Sequence, residues 1–287
     1  MGQSITVGNG AAAAADTVAP IEPRVPRWVD EAVTSGSLEV VSAVIPNAAA
    51  MPATTLRTNV ASAYLAIGQT LSAIGKTPIR LWNYLPDPAH AMGPGLDRYM
   101  VFNAGRHDGY RQWPGGVSGT QATASGVGVA GSDLTIFCLS SPDPGEPVEN
   151  PRQIPAWQYS RRYGPLPPCF SRATVAVVNG GRRLLIGGTA SVVGEESVHE
   201  GDAAAQLAET LRNLAAVIRA ARGVPETDSI ALARLTDLRM YVVRPHDAPM
   251  ILDVLRMHCP HAVRIELAQA GLCRPELLVE IEGFARI

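Results

Sequence analysis

The sequence predicts an α+β fold, in which mixed β-sheets carry helices packed on one face. Three observations predict it. Asn179-Gly180-Gly181 joins two apolar, β-branched runs and reads as a tight hairpin turn. Two long segments carry apolar side chains at helical spacing, and each precedes a short strand-like run. The second half then reads ββαβαββ, an order that gives a mixed sheet with its helices on one side.

In chain order, Gly8 through Ala15 is low-complexity and reads as a leader, disordered or extended, within residues 1–30. Leu38 to Val44 predicts a strand. Leu56 to Ile74 predicts a helix, with Val60, Tyr64, Ile67, Leu71 and Ile74 on one stripe. Ile79 to Leu85 predicts a strand ending at Pro86-Asp87-Pro88. A loop-rich middle follows, punctuated by Gly93-Pro94-Gly95 and Pro114-Gly115-Gly116. Leu134 to Leu139 is a further strand, and Ser141 to Pro155 reads as a linker or an exposed excursion. Ala173 to Val178 and Arg183 to Ile186 form the hairpin. Asp202 caps a helix whose stripe is Leu207, Leu211, Leu214 and Ile218, ended by Gly223. Leu238 to Val243 is a strand, and Asp247 caps a helix with Pro249 in its first turn. Val263 to Leu267 and Leu277 to Ile281 close the sheet. The helix, strand and Pro-turn of the first half echo those of the second, which suggests two copies of one unit, the first more degenerate.

With 287 residues, 46% of them hydrophobic, the chain can bury one large core or two modest ones. Its net charge of −2 and the absence of a basic block exclude nucleic acid as an expected partner. No apolar run is long enough to span a bilayer, and no basic-then-apolar start marks a secretory signal. The four cysteines have no framework spacing, so a reducing cytoplasm is expected.

Several motifs fit by letter and fail by context. Gly126-Val127-Gly128-Val129-Ala130-Gly131 matches a dinucleotide fingerprint, but no strand precedes it and no helix follows. His258-Cys259-Pro260-His261 lacks the further ligands that a tetrahedral metal site needs. Neither Ser118 nor Ser191 lies in a nucleophile elbow. No metal is expected.

Three segments carry candidate chemistry. In the strand Leu277 to Glu282, Leu277, Val279 and Ile281 point one way, and Glu276, Leu278, Glu280 and Glu282 the other. Carboxylates crowded on one face of an apolar strand either form a solvated edge or hold one protonated acid, because burial and like charge both favour the neutral form. The Pro-rich run Trp157 to Arg172 offers tyrosine hydroxyls and three guanidiniums; it is either an anion-binding loop or an arginine-rich surface. Gly187 to Asp202 leads from a strand into a helix N-terminus through small residues that let a ligand come close.

Together these segments resemble the chorismatase family, whose catalytic domain is similar to the YjgF/RidA (chorismate-mutase-like) fold. The residues that carry the resemblance are Tyr99-Met100-Val101-Phe102-Asn103-Ala104-Gly105-Arg106, the Tyr159 to Arg172 loop, Gly188-Thr189-Ala190-Ser191 through Asp202, and Cys273-Arg274-Pro275-Glu276-Leu277-Leu278-Val279-Glu280-Ile281-Glu282-Gly283. They run from about Tyr99 to the C-terminus; before Tyr99 the match is weak. The resemblance implies a degenerate YjgF-like unit over residues 31–150 and a catalytic one over 151–287.

It also implies chorismate as the small-molecule substrate, with no cofactor and no membrane partner, in a monomer or homotrimer. Glu280 matches the family's catalytic glutamate, which protonates the enolpyruvyl methylene. Arg172 is the expected carboxylate clamp, with Tyr159 and Tyr163 nearby and Arg244 as a candidate for the second carboxylate. Gly187 and Cys273 match the branch that forms 3-hydroxybenzoate and pyruvate for secondary metabolism. The branch that hydrolyses chorismate to a dihydroxycyclohexadiene carboxylate carries alanine there. The rival readings are a RidA-like imine deaminase and a non-catalytic small-molecule binder.

Overall fold

The computed structural model describes residues 5–6, 18–34, 38–114, 116–117 and 121–287. Gly8 to Ala15, Gly115 and Ser118 lie outside them. The elements are α1 (Arg27–Thr34), β1 (Glu39–Ile45), α2 (Ala53–Ala73), β2 (Thr77–Pro86), α3 (Arg98–Tyr110), β3 (Thr123–Val129), β4 (Leu134–Ser141), β5 (Glu146–Val148), β6 (Ala173–Val178), β7 (Gly181–Ala190), α4 (Ala203–Arg222), α5 (Asp228–Leu232), β8 (Leu235–Val242), α6 (Ala248–His258), β9 (Arg264–Gln269) and β10 (Val279–Arg286).

The expected α+β architecture is what the chain forms. The first sheet has the order β1-β4-β2-β3; the second runs β9-β8-β10-β7-β6-β5, with Ile5–Thr6 paired outside β9. Strand for strand, β1, α2, β2, α3, β3 and β4 repeat β7, α4, β8, α6, β9 and β10. The ladder types agree too: β2 with β3 and β8 with β9 are parallel, and the other pairs of the repeat are antiparallel. The two sheets face each other. Alternation sends Leu184, Ile186, Met240 and Ile281 outward against α4 and α6, and Leu81, Leu85, Ile136 and Cys138 outward against α2 and α3. Trp82, Tyr84, Leu185 and Tyr241 fill the layer between the sheets. A helix-sheet-sheet-helix stack results.

Local signals behave as chemistry requires. Asn179 and Gly180 take φ of 51° and 74° in the β6–β7 hairpin. Asp202 accepts from Ala205 N at 2.9 Å to start α4, and Gly223 ends it at φ 66°. Asp247 precedes α6 as expected, but its side chain makes no capping bond.

Four expectations change. The loop-rich middle contains α3, a helix without an apolar stripe. Its Gly105 and Gly109 let α2 come close; a Cβ there would lie 2.5 Å from Arg57 O and 2.6 Å from Tyr64 Cβ. The leader is anchored from Val18: Ile21 and Val25 are buried, and Trp28 of α1 stacks on Phe284 at 4.6 Å. The Ser141 to Pro155 excursion contributes β5 to the second sheet. Finally, alternation begins only at Val279. Leu278 packs with the outer core and Leu277 with the inner one, the reverse of the expected facing, because Leu278 N donates to Gln206 Oε1 and its carbonyl accepts from Val243 N.

Candidate active site

β10 lies in the middle of its sheet, so both its faces are covered, and its inner face carries Glu280 and Glu282. Their environments differ sharply. Glu282 accepts from Arg80 Nη2 at 2.7 Å, Ser125 Oγ at 2.5 Å and Trp82 Nε1 at 2.9 Å. Glu280, 4% exposed, accepts no protein hydrogen bond among the described residues and faces a cavity of about 230 Å³. Burial first, then the Glu282 charge, raises the Glu280 carboxyl to about 8, with Arg80 opposing. At neutral pH it is a carboxylic acid, not a carboxylate.

A bulge makes room for it. The β7–β10 register shifts between Ile186 and Thr189, and Gly187-Gly188 step out of the ladder. Gly187 N donates to Arg172 O and Gly188 N to Ser125 Oγ, each at 2.9 Å. A Cβ on Gly188 would stand 1.9 Å from Glu280 Oε1, so only glycine admits the acid. Gly187 does not line the cavity; its added Cβ would meet Thr123 Oγ1 at 2.6 Å. The pocket glycine is Gly188, one residue later than expected.

Both halves of the chain wall the cavity. The first supplies Tyr99 and Met100 at the start of α3 and Ser125 and Gly126 on β3; the second supplies Tyr159, Tyr163, Arg172, Cys273 and Arg274. Arg172 donates to Tyr159 Oη at 2.6 Å and to Ile154 O at 2.9 Å. Arg274 donates to Glu195 O and Ser197 Oγ and lies 3.9 Å over the Tyr163 ring. Each of these guanidiniums also stands 5.5 Å from the Tyr159 ring. Burial, with Glu280 beside it, pushes the Cys273 thiol up to about 12, so it is an inert thiol and not a nucleophile. Burial likewise raises Tyr99 and keeps its phenol neutral.

Glu280, Cys273, Arg172, Tyr159 and Tyr163 are therefore brought together, and Arg244 is not. It sits exposed at the turn after β8, donating to Gly201 O at 3.4 Å, because the strand ends before reaching the cavity. Sequence reasoning missed Arg274, Tyr99, Ser125 and Arg80. A signal existed for Arg80: a guanidinium inside Ile79-Arg80-Leu81-Trp82 needs a carboxylate on a facing strand. Gly126 and Gly128 lie within β3 and precede no helix, and Ser191 Oγ donates to Val198 O.

The comparisons with known proteins bear on this geometry. The family model for the chorismatase FkbO/Hyg5-like N-terminal region matches residues 29–140. A 3-hydroxybenzoate synthase of Streptomyces hygroscopicus is 33% identical over 232 residues, 77% of this chain and 67% of the relative. The chain belongs to the chorismatase family. A chorismatase of Streptomyces rapamycinicus is also 33% identical over 232 residues, 78% of this chain and 68% of that one. The crystal structure of a chorismatase superposes with a TM-score of 0.75 at 29% identity, over 86% of this chain and 74% of the other. The match to the chorismatase model reaches back to residue 29, well before Tyr99, so the likeness covers the first half better than the sequence suggested. As a chorismatase-family chain, this protein is an enzyme. No helix among its described residues is long and apolar enough to cross a membrane.

Proposed function

We propose that this enzyme converts chorismate to 3-hydroxybenzoate and pyruvate, with Glu280 as the general acid. The observation that carries the reading is a buried, neutral carboxylic acid facing a cavity lined by three guanidiniums, of which Arg162 is already paired with Glu196. Chorismate is a dianion with a vinyl ether. Arg172 and Arg274 suit its two carboxylates, and the Tyr159 and Tyr163 rings behind them fix the direction of both forks. Glu280 then gives its proton to the enolpyruvyl methylene carbon, and the ether oxygen stabilises the oxocarbenium ion that forms.

The ionised Glu280 left behind is stabilised by the same charge it has helped create. The C4 hydroxyl oxygen closes on C3 as the C3–O ether bond breaks, which releases pyruvate and leaves a protonated 3,4-epoxide on the ring. Opening of its C4–O bond and loss of the C3 proton restore the acid and make the ring aromatic, with its hydroxyl on C3. Chorismate then gives 3-hydroxybenzoate and pyruvate with no atoms added, and no cofactor is required. Addition of water would instead give the dihydroxycyclohexadiene carboxylate. Cys273 stands beside Glu280 at the position that the resemblance ties to the non-hydrolytic outcome, whereas Gly187, the glycine tied to it, lies one residue before the Gly188 that lines the cavity.

The test is incubation of the purified protein with chorismate, following pyruvate enzymatically and identifying the ring product by mass and retention. 3-Hydroxybenzoate is expected. The diene product would move the enzyme to the hydrolytic branch, and absence of pyruvate would remove chorismate as substrate. Cys273→Ala is expected to divert product toward the diene; an unchanged product would remove the branch role of Cys273.

A further inference from the structure

Behind the proton-donating site runs a chain of ion pairs in the layer between the sheets. Arg80 pairs with Glu282 at 2.7 Å, Glu282 lies 3.9 Å from Arg239, and Arg239 pairs with Glu266 at 2.8 Å. All four side chains are buried. Their far end is closed by the N-terminal segment: Arg24 Nη2 and Arg27 N donate to Glu266, and Arg24 O accepts from Arg239 Nη1 and Tyr84 Oη. The two buried guanidiniums and the partly buried Arg24 are all engaged by the two buried carboxylates. The network therefore has no unshared cation to offer Glu280.

Across the cavity stand the charged groups Arg162, Arg172, Arg274, Glu276 and Asp97, whereas the side chains packed against Glu280 from its own side are neutral. Tyr241 is its register partner on β8, Tyr99 approaches from α3, and Cys273 lies on the segment before β10. Burial holds the two phenols and the thiol in their protonated forms. β7 presents the Gly188 backbone and Ala190, the register partner of Glu280 on that strand. The charges that bear most directly on Glu280 are thus Glu282, two residues along the same strand face, and Arg80 beyond it. Ser125 ties this pair to the cavity wall. Its hydroxyl donates to Glu282 Oε2 and accepts from both Arg80 Nη2 and Gly188 N.

We propose that Glu282 is a positioning residue for the proton donor: clamped by Arg80, Trp82 and Ser125, it engages the buried Arg80 guanidinium and repels ionisation of Glu280. The inference rests on the reading of Glu280 as the general acid. It adds that the acid is maintained by a second carboxylate that never touches substrate.

The test is the pH dependence of chorismate turnover. Wild-type kcat should fall on the alkaline side as Glu280 loses its proton. Glu282→Gln keeps the shape and removes the charge. It should move that alkaline limb down by about one pH unit or more, so that kcat near pH 8 drops ~5-fold or more while KM stays within ~2-fold. If burying an unpaired Arg80 prevents folding, Arg80→Met/Glu282→Leu removes both charges together, and the limb should again move down. A folded variant of either kind whose alkaline limb coincides with wild type overturns the proposal. Glu280→Gln separates the two ideas. If it is inactive while the Glu282 variants keep the wild-type limb, only the positioning role fails. If it remains active, the general-acid reading fails as well.

Discussion

Replacing Glu280 by Gln should stabilise the protein while abolishing pyruvate release. The carboxyl is raised from 4.5 to about 8 in the folded chain, burial being the main cause. Above 4.5 the unfolded chain gives up this proton and the folded chain keeps it. Stability therefore falls as pH rises from 4.5 to about 8, and changes no further beyond. Glutamine resembles the protonated acid and carries no such linkage. The interval from 4.5 to neutrality, at ~1.4 kcal/mol for each tenfold change in proton activity, amounts to roughly 3 kcal/mol. That is a large share of a typical folding free energy of about 5–15 kcal/mol. It corresponds to a rise in Tm on the order of 5–10 °C. The assay is denaturation of both proteins across pH. The gap should be near zero around pH 4.5, about 3 kcal/mol at pH 7, and level above about pH 8. A gap independent of pH, or a variant less stable at neutrality, would refute the claim that Glu280 is held as a buried acid.

Other changes have equally defined outcomes. Gly188→Ala places a methyl 1.9 Å from Glu280 Oε1 and must displace the acid or the bulge; turnover should fall by ~100-fold or more with a lower Tm, an overpacking cost of about 1–3 kcal/mol. Arg274→Met should raise KM for chorismate by roughly 10-fold to 100-fold, the worth of a charged hydrogen bond, and leave the alkaline limb of kcat in place; an unchanged KM would take Arg274 out of substrate binding. Arg244→Ala, at an exposed turn outside the cavity, should leave both kcat and KM within ~2-fold.

Periodicity made the scaffold legible because burial on a two-faced sheet must alternate. The Leu207 to Ile218 stripe, the Asn179-Gly180 hairpin and the paired glutamates of β10 were all visible that way. α3 was not. Its Asn103-Ala104-Gly105-Arg106 run is shaped by contact with α2, so the glycines that look like helix breakers are there for close approach. The reversed facing of Leu277 and Leu278 has a similar origin in a hydrogen bond from Gln206, a residue seventy-two positions away in sequence. The acid itself could be read from local pattern, whereas its partners could not. Arg80 and Ser125 sit on strands of the first sheet; the apolar run around Arg80 asks for a buried carboxylate, but nothing near either residue in sequence says that it is Glu282. Arg244 illustrates the converse: a plausible strand-end arginine is turned to solvent because the strand stops short of the cavity.

The like ordering of the two sheets has a consequence for stoichiometry. β4 occupies in the first sheet the place that β10 holds in the second, and its sequence Leu134-Thr135-Ile136-Phe137-Cys138-Leu139-Ser140-Ser141 contains no acidic residue. An assembly of identical single units would repeat its reaction centre at each equivalent seam. Here the unlike halves share one, so a calorimetric titration should saturate at a single equivalent of ligand per polypeptide. Each wall is then free to change on its own, since altering one leaves no mirrored defect elsewhere.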